Sequence, residues 1–123
     1  MTESAIVSNI LLQLKLICNR YGYFWRSSNH GVFLGNSQNG RRYMFHGEKG
    51  VGDIIGLLNN GKFISIEVKT PKAYKMKNHN LSDHQMNFMN KIIAMNGIAI
   101  CVCNFQDVYK CIIKELNNEN NKC

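Results

Sequence analysis

Three charged residues stand at the outer ends of two apolar runs of this chain. Asp53 opens "DIIGLL", whereas Glu67 and Lys69 interrupt "KFISIEVK". Carboxylates are hard oxygen ligands that suit Mg²⁺, and a lysine beside them can orient an attacking water or stabilise charge developing at phosphorus. Because an unpaired buried charge is costly, two explanations are open: a hydrolytic metal site, or a cross-strand salt bridge at the end of a surface hairpin with Lys69 merely solvated.

The turn Asn59-Asn60-Gly61 predicts a hairpin that brings these charges together. If Gly61 takes the left-handed position of a three-residue loop, counting outward places Asp53 opposite Glu67. Directly opposed residues have Cβ atoms roughly 4.5–5.5 Å apart, so the two carboxylates repel unless a proton or a divalent metal lies between them. The strand period puts Lys69 on the face of Glu67 and the apolar side chains on the other face.

Two further polar residues stand where the apolar face of a helix should begin. Glu3 precedes Ile6, Ile10 and Leu14 at helical spacing, and Gln85 precedes the apolar residues of a second helix in the same way. Each is expected to aim inward from a helix start. The alternatives are a first-turn acid that complements the helix dipole and a partly exposed glutamine.

The remaining pattern predicts the order helix, strand, hairpin, helix, strand, helix. The expected helices are Glu3–Arg20 stopped by Gly22, a Ser82-capped helix to about Asn96, and Phe105–Leu116; the expected strands are Tyr23–Ser28, a short edge strand Arg41–Gly47, the hairpin, and a fully buried Ile98–Cys103. Asn29–Gly40 is expected as a loop or loose hairpin, and Thr70–Asn80 as a basic loop. The order predicts an α/β fold with a mixed central sheet flanked by helices.

Length and composition narrow the class of protein. The chain has 123 residues and a formal net charge of +7, which predicts one domain over residues 1–116, a disordered tail over residues 117–123, and a polyanionic partner. Lys72, Lys75 and Lys77 crowd one short stretch and are the expected nucleic-acid contacts. No apolar stretch is long enough to span a membrane. Five cysteines without a C-x-x-C pattern favour a reducing, cytoplasmic location.

The sequence around these residues resembles a nuclease superfamily. "GVGD" followed 14 residues later by "EVK" resembles the PD-(D/E)XK signature, with Gly52 in place of the usual proline. The fuller pattern is similar to the VRR-NUC family within it, through a helix opening at Glu3, "FWR" at Phe24–Arg26, and "LSDHQMNFM" at Leu81–Met89. The likeness covers roughly residues 2 to 108. It departs from the family at Gly52, which is expected to loosen the turn, and at Val7, where many relatives carry a glutamine.

The resemblance implies a restriction-endonuclease-like fold of order αβββαβ plus a C-terminal helix, and a Mg²⁺- or Mn²⁺-dependent nuclease. It implies that Asp53, Glu67 and the main-chain carbonyl of Val68 bind the metal, and that Glu3 contributes from the first helix. By the same likeness, Lys69 positions the attacking water and Gln85 helps to hold it. Arg26 is expected to face the nucleic acid.

Small stand-alone relatives imply a context as well. They resemble phage and bacterial proteins that act as homodimers on branched DNA such as four-way junctions or flaps, which implies the cytoplasm of a bacterial host. A non-catalytic nucleic-acid-binding module that kept the fold is the main alternative, although pure binding needs no clustered carboxylates. A metal-dependent enzyme acting on another phosphate substrate is a weaker one, because the chain has no Walker-type glycine loop.

Overall fold

The predicted hairpin forms the two central strands of a four-stranded mixed sheet. The computed structural model describes residues 1–27, 31–38, 40–45 and 47–120. In chain order the elements are α1 (Glu3–Ile17), β1 (Gly22–Arg26), β2 (Gly31–Ser37), β3 (Gly40–Phe45), β4 (Ile54–Leu58), β5 (Phe63–Val68), α2 (Pro71–Tyr74), a 3₁₀ turn (Lys77–Asn80), α3 (Asp83–Ala94), β6 (Ile98–Val102) and α4 (Phe105–Asn120). The main sheet has the order β1-β4-β5-β6, and only the β5–β6 pair is parallel. The expected mixed α/β fold is confirmed.

The hairpin has the register expected from its turn. Gly61 takes a left-handed φ of 88°, and its N–H donates to the carbonyl of Leu58 at 2.9 Å. Ile54 pairs with Ile66 in the β4–β5 ladder. Continuing that ladder by one pair sets Asp53 opposite Glu67, so the predicted register is confirmed.

One face of the sheet is apolar and packs against α1 and α4. In β5 the residues on this face, Ile64, Ile66 and Val68, are all fully buried at 0% exposure. α1 contributes Ile10 and Leu14 to the same core. Fully burying an aliphatic side chain contributes about 1.5–3 kcal/mol, so this layer holds β5 in place and fixes which way its alternate side chains point.

The opposite face of β5 and β6 lies under α3 and is covered less completely. No side chain of α3 is fully buried, and in β6 only Val102 is buried, at 2% exposure. The expectation that this strand is fully buried was therefore wrong. A strand is buried on both faces only when both packing layers cover it, and the short α3 covers its face in part.

Several element boundaries differ from the expected ones. α1 begins after the predicted cap Thr2, whose hydroxyl accepts the N–H of Ala5 at 3.1 Å, but it ends at Ile17 instead of Arg20. Gly22 is the first residue of β1 and does not stop the helix. A Cβ at Gly22 would lie 2.8 Å from the carbonyl oxygen of Leu57, so this glycine permits close strand contact.

The segment between β1 and β4 forms a separate antiparallel sheet. β2 and β3 pair with each other, with a bulge between Phe33 and Gly35. The segment expected as a loop or loose hairpin thus contributes one strand, β2, and its hairpin partner β3 covers most of the expected edge strand Arg41–Gly47. Within the described residues, β3 belongs to this small sheet and not to the main one. The predicted strand end at Ser28, with Asn29 and His46, lies outside the described residues.

The expected basic loop contains two short helical turns, α2 and the 3₁₀ turn. The hydroxyl of Thr70 caps α2 by accepting the N–H of Ala73 at 3.2 Å. α4 continues to Asn120, four residues beyond the expected end, and residues 121–123 lie outside the described part. The division into a domain and a tail stays a prediction. Among the helices of the described residues, none has the length and apolar character to span a membrane.

Candidate metal centre

Three carboxylates from three different elements converge at one end of the sheet. Glu3 comes from the first turn of α1, Asp53 directly precedes β4, and Glu67 lies in β5. One ligand oxygen from each lies within 4.8 Å of the other two. Glu67 is buried at 4% exposure, and Glu3 and Asp53 are more accessible. The inward direction expected for Glu3 from its helical spacing therefore holds.

Asp53 is held by backbone groups on both neighbouring strands. Its Oδ2 accepts the N–H of Val68 at 2.8 Å, and its carbonyl accepts the N–H of Ser27 at 2.9 Å. The contact with Ser27 continues the β1–β4 backbone pairing by one step, and the contact with Val68 anchors the side chain of Asp53 directly to the backbone of β5. The position of this carboxylate is thus set by the sheet and not by a mobile loop.

Gly52, the residue before Asp53, is tightly packed. A Cβ at this position would lie 2.4 Å from Oγ of Ser65 and 2.9 Å from the carbonyl oxygen of Ile66. The expectation that glycine loosens the turn here was wrong, because the approach to β5 leaves no room for a side chain. The missing side chain lets the segment press against β5 just before the metal-site aspartate.

Gln85 connects the acidic cluster to Lys69. Its Nε2 donates to Oε1 of Glu67 at 2.8 Å, and its Oε1 accepts Nζ of Lys69 at 3.2 Å. Lys69 Nζ also lies 3.9 Å from Oε1 of Glu67. Lys69 is buried at 8% exposure, so its charge is held at the site and does not extend into solvent.

Ser82 fixes the amide of Gln85 through a capping box at the start of α3. The Ser82 N–H donates to Oε1 of Gln85 at 2.9 Å, and the Ser82 hydroxyl accepts the N–H of Gln85 at 3.1 Å. Because Oε1 already accepts two donors, Nε2 is oriented toward Glu67. The sequence identified Ser82 only as a cap; the S-x-x-Q spacing was the available signal for this second contact.

Without a bound metal ion, the carboxylates of this cluster repel one another. Burial, together with the nearby charge of Asp53, which outweighs the opposing charge of Lys69, raises the pKa of Glu67 to about 8. Burial also raises the pKa of Glu3, again with a contribution from Asp53. Close carboxylates that share one cation avoid this repulsion, so the donor set fits a divalent metal with oxygen ligands.

A cysteine borders the site but does not add a thiolate to it. Cys101 pairs with Glu67 in the parallel β5–β6 register. Burial, followed by the charge of Glu67, raises the pKa of the Cys101 thiol to about 11. Among the described residues, the possible ligand atoms that lie within 4.8 Å of one another here belong to carboxylates alone, so the site has the all-oxygen character that Mg²⁺ and Mn²⁺ favour.

The expected nucleic-acid contacts lie around the site in two places. Lys72, Lys75 and Lys77 are exposed on and beside α2, where they are free to meet a phosphate backbone. Arg26 shares a sheet face with Phe24, and it donates to the hydroxyls of Ser4 at 2.9 Å and Ser8 at 3.2 Å. Arg26 thus lies against α1, and its contact with nucleic acid stays a prediction.

The same holds for the carbonyl of Val68. The N–H of Val68 donates to Oδ2 of Asp53, whereas the role of the Val68 carbonyl as a metal ligand stays a prediction.

Gly50 was not among the residues singled out from the sequence. Its φ is +81°, and a Cβ at this position would lie 2.1 Å from the carbonyl oxygen of His84. Only glycine lets the segment before Asp53 pass this close to the start of α3.

The geometry agrees with the comparison against protein families. The family model of recombination protein U matches residues 37–122. The chain belongs to the recombination protein U family. This family comprises Holliday-junction-resolving nucleases with a restriction-endonuclease-like fold of the PD-(D/E)XK class, whose members use divalent metals and act on DNA. Searches of curated proteins and of solved structures gave no significant match.

The family match contains four of the five residues expected to be catalytic. Asp53, Glu67, Lys69 and Gln85 lie within residues 37–122, and Glu3 lies before them. The part played by α1 therefore depends on geometry alone. The superfamily expected from the sequence is supported by this match, and the VRR-NUC likeness within it stays a prediction.

Proposed function

We propose that the chain is a divalent-metal-dependent DNA endonuclease that selects branched DNA, such as four-way junctions or flaps. The observation that carries the proposal is the convergence of three carboxylates on one point in a chain whose family resolves DNA junctions. The VRR-NUC likeness, and with it an origin in phage or bacteria and a cytoplasmic location, is part of the same proposal.

Glu3, Asp53 and Glu67 would hold Mg²⁺ or Mn²⁺, with the carbonyl of Val68 as a further candidate ligand. Their mutual distances and their all-oxygen chemistry support this assignment. When bound, such an ion supplies Lewis-acid activation of water and neutralises charge on the phosphodiester. In the hydrolysis, a water oxygen forms the new bond to phosphorus as the bond to one deoxyribose oxygen breaks.

Lys69 is the proposed donor to the attacking water and to the charge that develops at phosphorus. Its Nζ is 3.9 Å from Glu67 Oε1, which supports a place beside the reacting phosphate. Since it is buried, its charge acts through a medium of low polarity, where a preorganised donor stabilises a transition state more than in water.

Gln85 is proposed to keep Glu67 and Lys69 at a fixed separation. It bridges the two with hydrogen bonds of 2.8 Å and 3.2 Å. Its amide oxygen already accepts from Ser82 and Lys69, which supports a positioning role more than direct contact with water. A role in holding the attacking water would use the remaining amide hydrogen.

Substrate contacts are proposed for Lys72, Lys75, Lys77 and Arg26. The three lysines are exposed on the segment that follows β5, so phosphates entering the site would pass near them. Arg26 would reach DNA from the α1 side of the sheet. We also propose a homodimer, because a two-fold partner would place two cutting sites on a symmetric junction. Sedimentation that finds only monomer at micromolar concentration would contradict it.

The test is a cleavage panel. Supercoiled plasmid and end-labelled duplex, flap and four-way junction of matched length are incubated with Mg²⁺, Mn²⁺ or EDTA. We expect cleavage of branched substrates with metal and none with EDTA. Lys69→Ala is expected to lose most of this activity, and Lys114→Ala, an exposed lysine on α4, is the matched control.

Two outcomes would contradict the proposal. A chain that binds junctions tightly but cuts none of the four substrates with either metal is a non-catalytic binding module. Cleavage by Lys69→Ala at the wild-type rate would leave the metal site possible but would eliminate the assigned mechanism.

A further inference from the structure

An exposed strip of large side chains runs along β1 and β4. It consists of Tyr23, Trp25 and Leu57, which we call the aromatic strip and which are 72%, 42% and 50% exposed. The rings of Tyr23 and Trp25 meet edge to face, with centroids 5.4 Å apart and planes at 61°. The proposed hydrolysis assigns no role to these three side chains.

The strand register brings the strip together on the face that also carries the acidic cluster. Tyr23 pairs with Leu57, and Trp25 pairs with Ile55. Asp53 lies two residues before Ile55, so both side chains project from the same face of the sheet. Because α3 packs over β5 and β6, Tyr23, Trp25 and Leu57 stay exposed on this face, whereas Ile55 beside Trp25 is buried at 7% exposure.

The strip begins close to the metal centre. The N–H of Ser27 donates to the carbonyl of Asp53 at 2.9 Å, which continues the β1–β4 pairing by one step beyond Arg26. Trp25 therefore lies one same-face position, roughly 7 Å along the strand, from the residue that faces Asp53. A nucleotide adjacent to a phosphate bound at the acids would lie over Trp25.

The chemistry of the strip favours one kind of occupant. It carries no charged side chain, so it does not suit phosphate, and flat aromatic rings suit the face of a nucleobase. A second copy of the chain would need about 800 Å² on each partner. Three side chains that are about half exposed present on the order of 300 Å², given about 150–250 Å² for a whole aromatic side chain.

We propose that the aromatic strip is a stacking platform for an unpaired base next to the scissile phosphate, with Trp25 as the main contact. This inference rests on the proposed nuclease function and adds a substrate class to it: DNA with unpaired bases at the cutting position. Fully paired duplex keeps its base faces stacked on each other, so it cannot use the platform without unstacking.

The test uses the single tryptophan of the chain, whose emission reports on the strip alone. The intact protein in EDTA is titrated with a fully paired duplex, a flap and a single strand of matched length. We expect the flap and the single strand to quench Trp25 emission and to protect it from acrylamide, and the duplex to do neither. Affinity for the single strand, measured by anisotropy, should fall roughly 5- to 150-fold in Trp25→Ala and recover largely in Trp25→Phe.

Leu16→Ala is the matched control, because Leu16 is a large apolar residue of α1 that is 69% exposed and lies outside the strip. It should bind all three DNAs as the wild type does. Unchanged Trp25 emission and acrylamide access with bound flap would overturn the proposal. The proposal would also be overturned if the DNA-free protein self-associates and Trp25 is then already shielded from acrylamide, because a second copy of the chain would then cover the strip.

The titration needs neither metal nor cleavage, so its failure is distinguishable from a failure of the nuclease proposal. A chain that cuts junctions while Trp25 stays unresponsive loses the platform alone. A chain that cuts nothing but shows the expected quenching keeps the platform and loses the activity.

Discussion

Asp53 and Glu67 face each other one step beyond the last pair of the β4–β5 ladder, with ligand oxygens within 4.8 Å. The turn at Gly61 sets this relationship from the far end of the hairpin. Leu58 and Lys62 flank the turn and are hydrogen-bonded to each other, and Asp53 and Glu67 each lie five residues farther out. A substitution in the turn should therefore first lower the stability of the hairpin. Only through that loss should it alter the positions of the Asp53 and Glu67 carboxylates.

Gly61→Ala should lower the free energy of unfolding by about 1–2 kcal/mol. Its φ is 88° and a Cβ would meet nothing within 4 Å, so the cost is conformational and not steric crowding. Gly61→Asn is the control, since asparagine tolerates the left-handed region better. The free energy of unfolding is measured with urea for wild type, Gly61→Ala and Gly61→Asn. Equal losses of free energy in the two variants would contradict the turn assignment.

Metal-free protein should become less stable as the pH rises from about 5 to about 8. The pKa of Glu67 is raised from its ordinary 4.5 to about 8 in the folded chain, so the folded state binds more protons than the unfolded state within this window. Stability from the protonated carboxyl is fully present below the unfolded pKa and is lost as the pH passes the folded one. The loss is on the order of a few kcal/mol.

Thermal unfolding across this pH range tests the point, with Glu67→Gln and Glu115→Gln compared. Glu67→Gln should flatten the profile, whereas Glu115→Gln changes a half-buried ion pair with Lys62 that lies outside the acidic cluster and should keep the wild-type slope. Added Mn²⁺ should stabilise wild type more at pH 8 than at pH 6, because the metal needs the ionised carboxylate. A wild-type profile that rises through the window would contradict the assigned burial.

Gln85→Ala should reduce cleavage by about 10- to 100-fold, a figure typical of partners that orient metal ligands. It removes the bridge between Glu67 and Lys69, and it also removes half of the capping box. Ser82→Ala separates the two effects, because it removes a cap worth about 1 kcal/mol while the Gln85 amide can still reach Glu67. Single-turnover rates at a temperature where both variants are folded are compared; equal rate losses would assign the effect to the cap.

Replacing Lys72, Lys75 and Lys77 together with glutamine should weaken junction binding and flatten its salt dependence. Each lost phosphate contact lowers the slope of log K against log salt by roughly 0.9 for duplex DNA. Lys110 and Lys114 are exposed on α4, and their double glutamine variant, which removes two charges where the triple variant removes three, is the control. Identical slopes for wild type and the triple variant would show that these three lysines do not contact the DNA phosphates.

The parts of the fold that follow from local pattern were predictable from the sequence. The Asn59-Asn60-Gly61 turn predicts the register of the β4–β5 hairpin, and helical spacing predicts that Glu3 points inward, toward Asp53 and Glu67. The same strand alternation assigns Arg26 to the face of Phe24, toward α1, so this orientation too is predictable from the sequence.

Other features depended on contacts between distant segments. Among the described residues, β2 and β3 pair only with each other, and nothing local in Gly31–Ser37 indicates this. The partial exposure of β6 depends on how much of its face α3 covers, and the tight fit of Gly52 depends on the approach of β5. The capping box of Ser82 and Gln85 is readable as a spacing, but its use as an anchor for Glu67 required the sheet and α3 to be placed together.

The central claim is that Asp53, with Glu3 and Glu67, forms the metal site at which DNA is cut. The most direct measurement is single-turnover cleavage of a labelled four-way junction in Mn²⁺, for wild type and Asp53→Asn, with calorimetry of Mn²⁺ binding on the same samples. We predict that wild type binds Mn²⁺ and cuts the junction, and that Asp53→Asn folds but loses both. Cleavage by Asp53→Asn at the wild-type rate, or wild-type cleavage that persists in EDTA, would contradict the account.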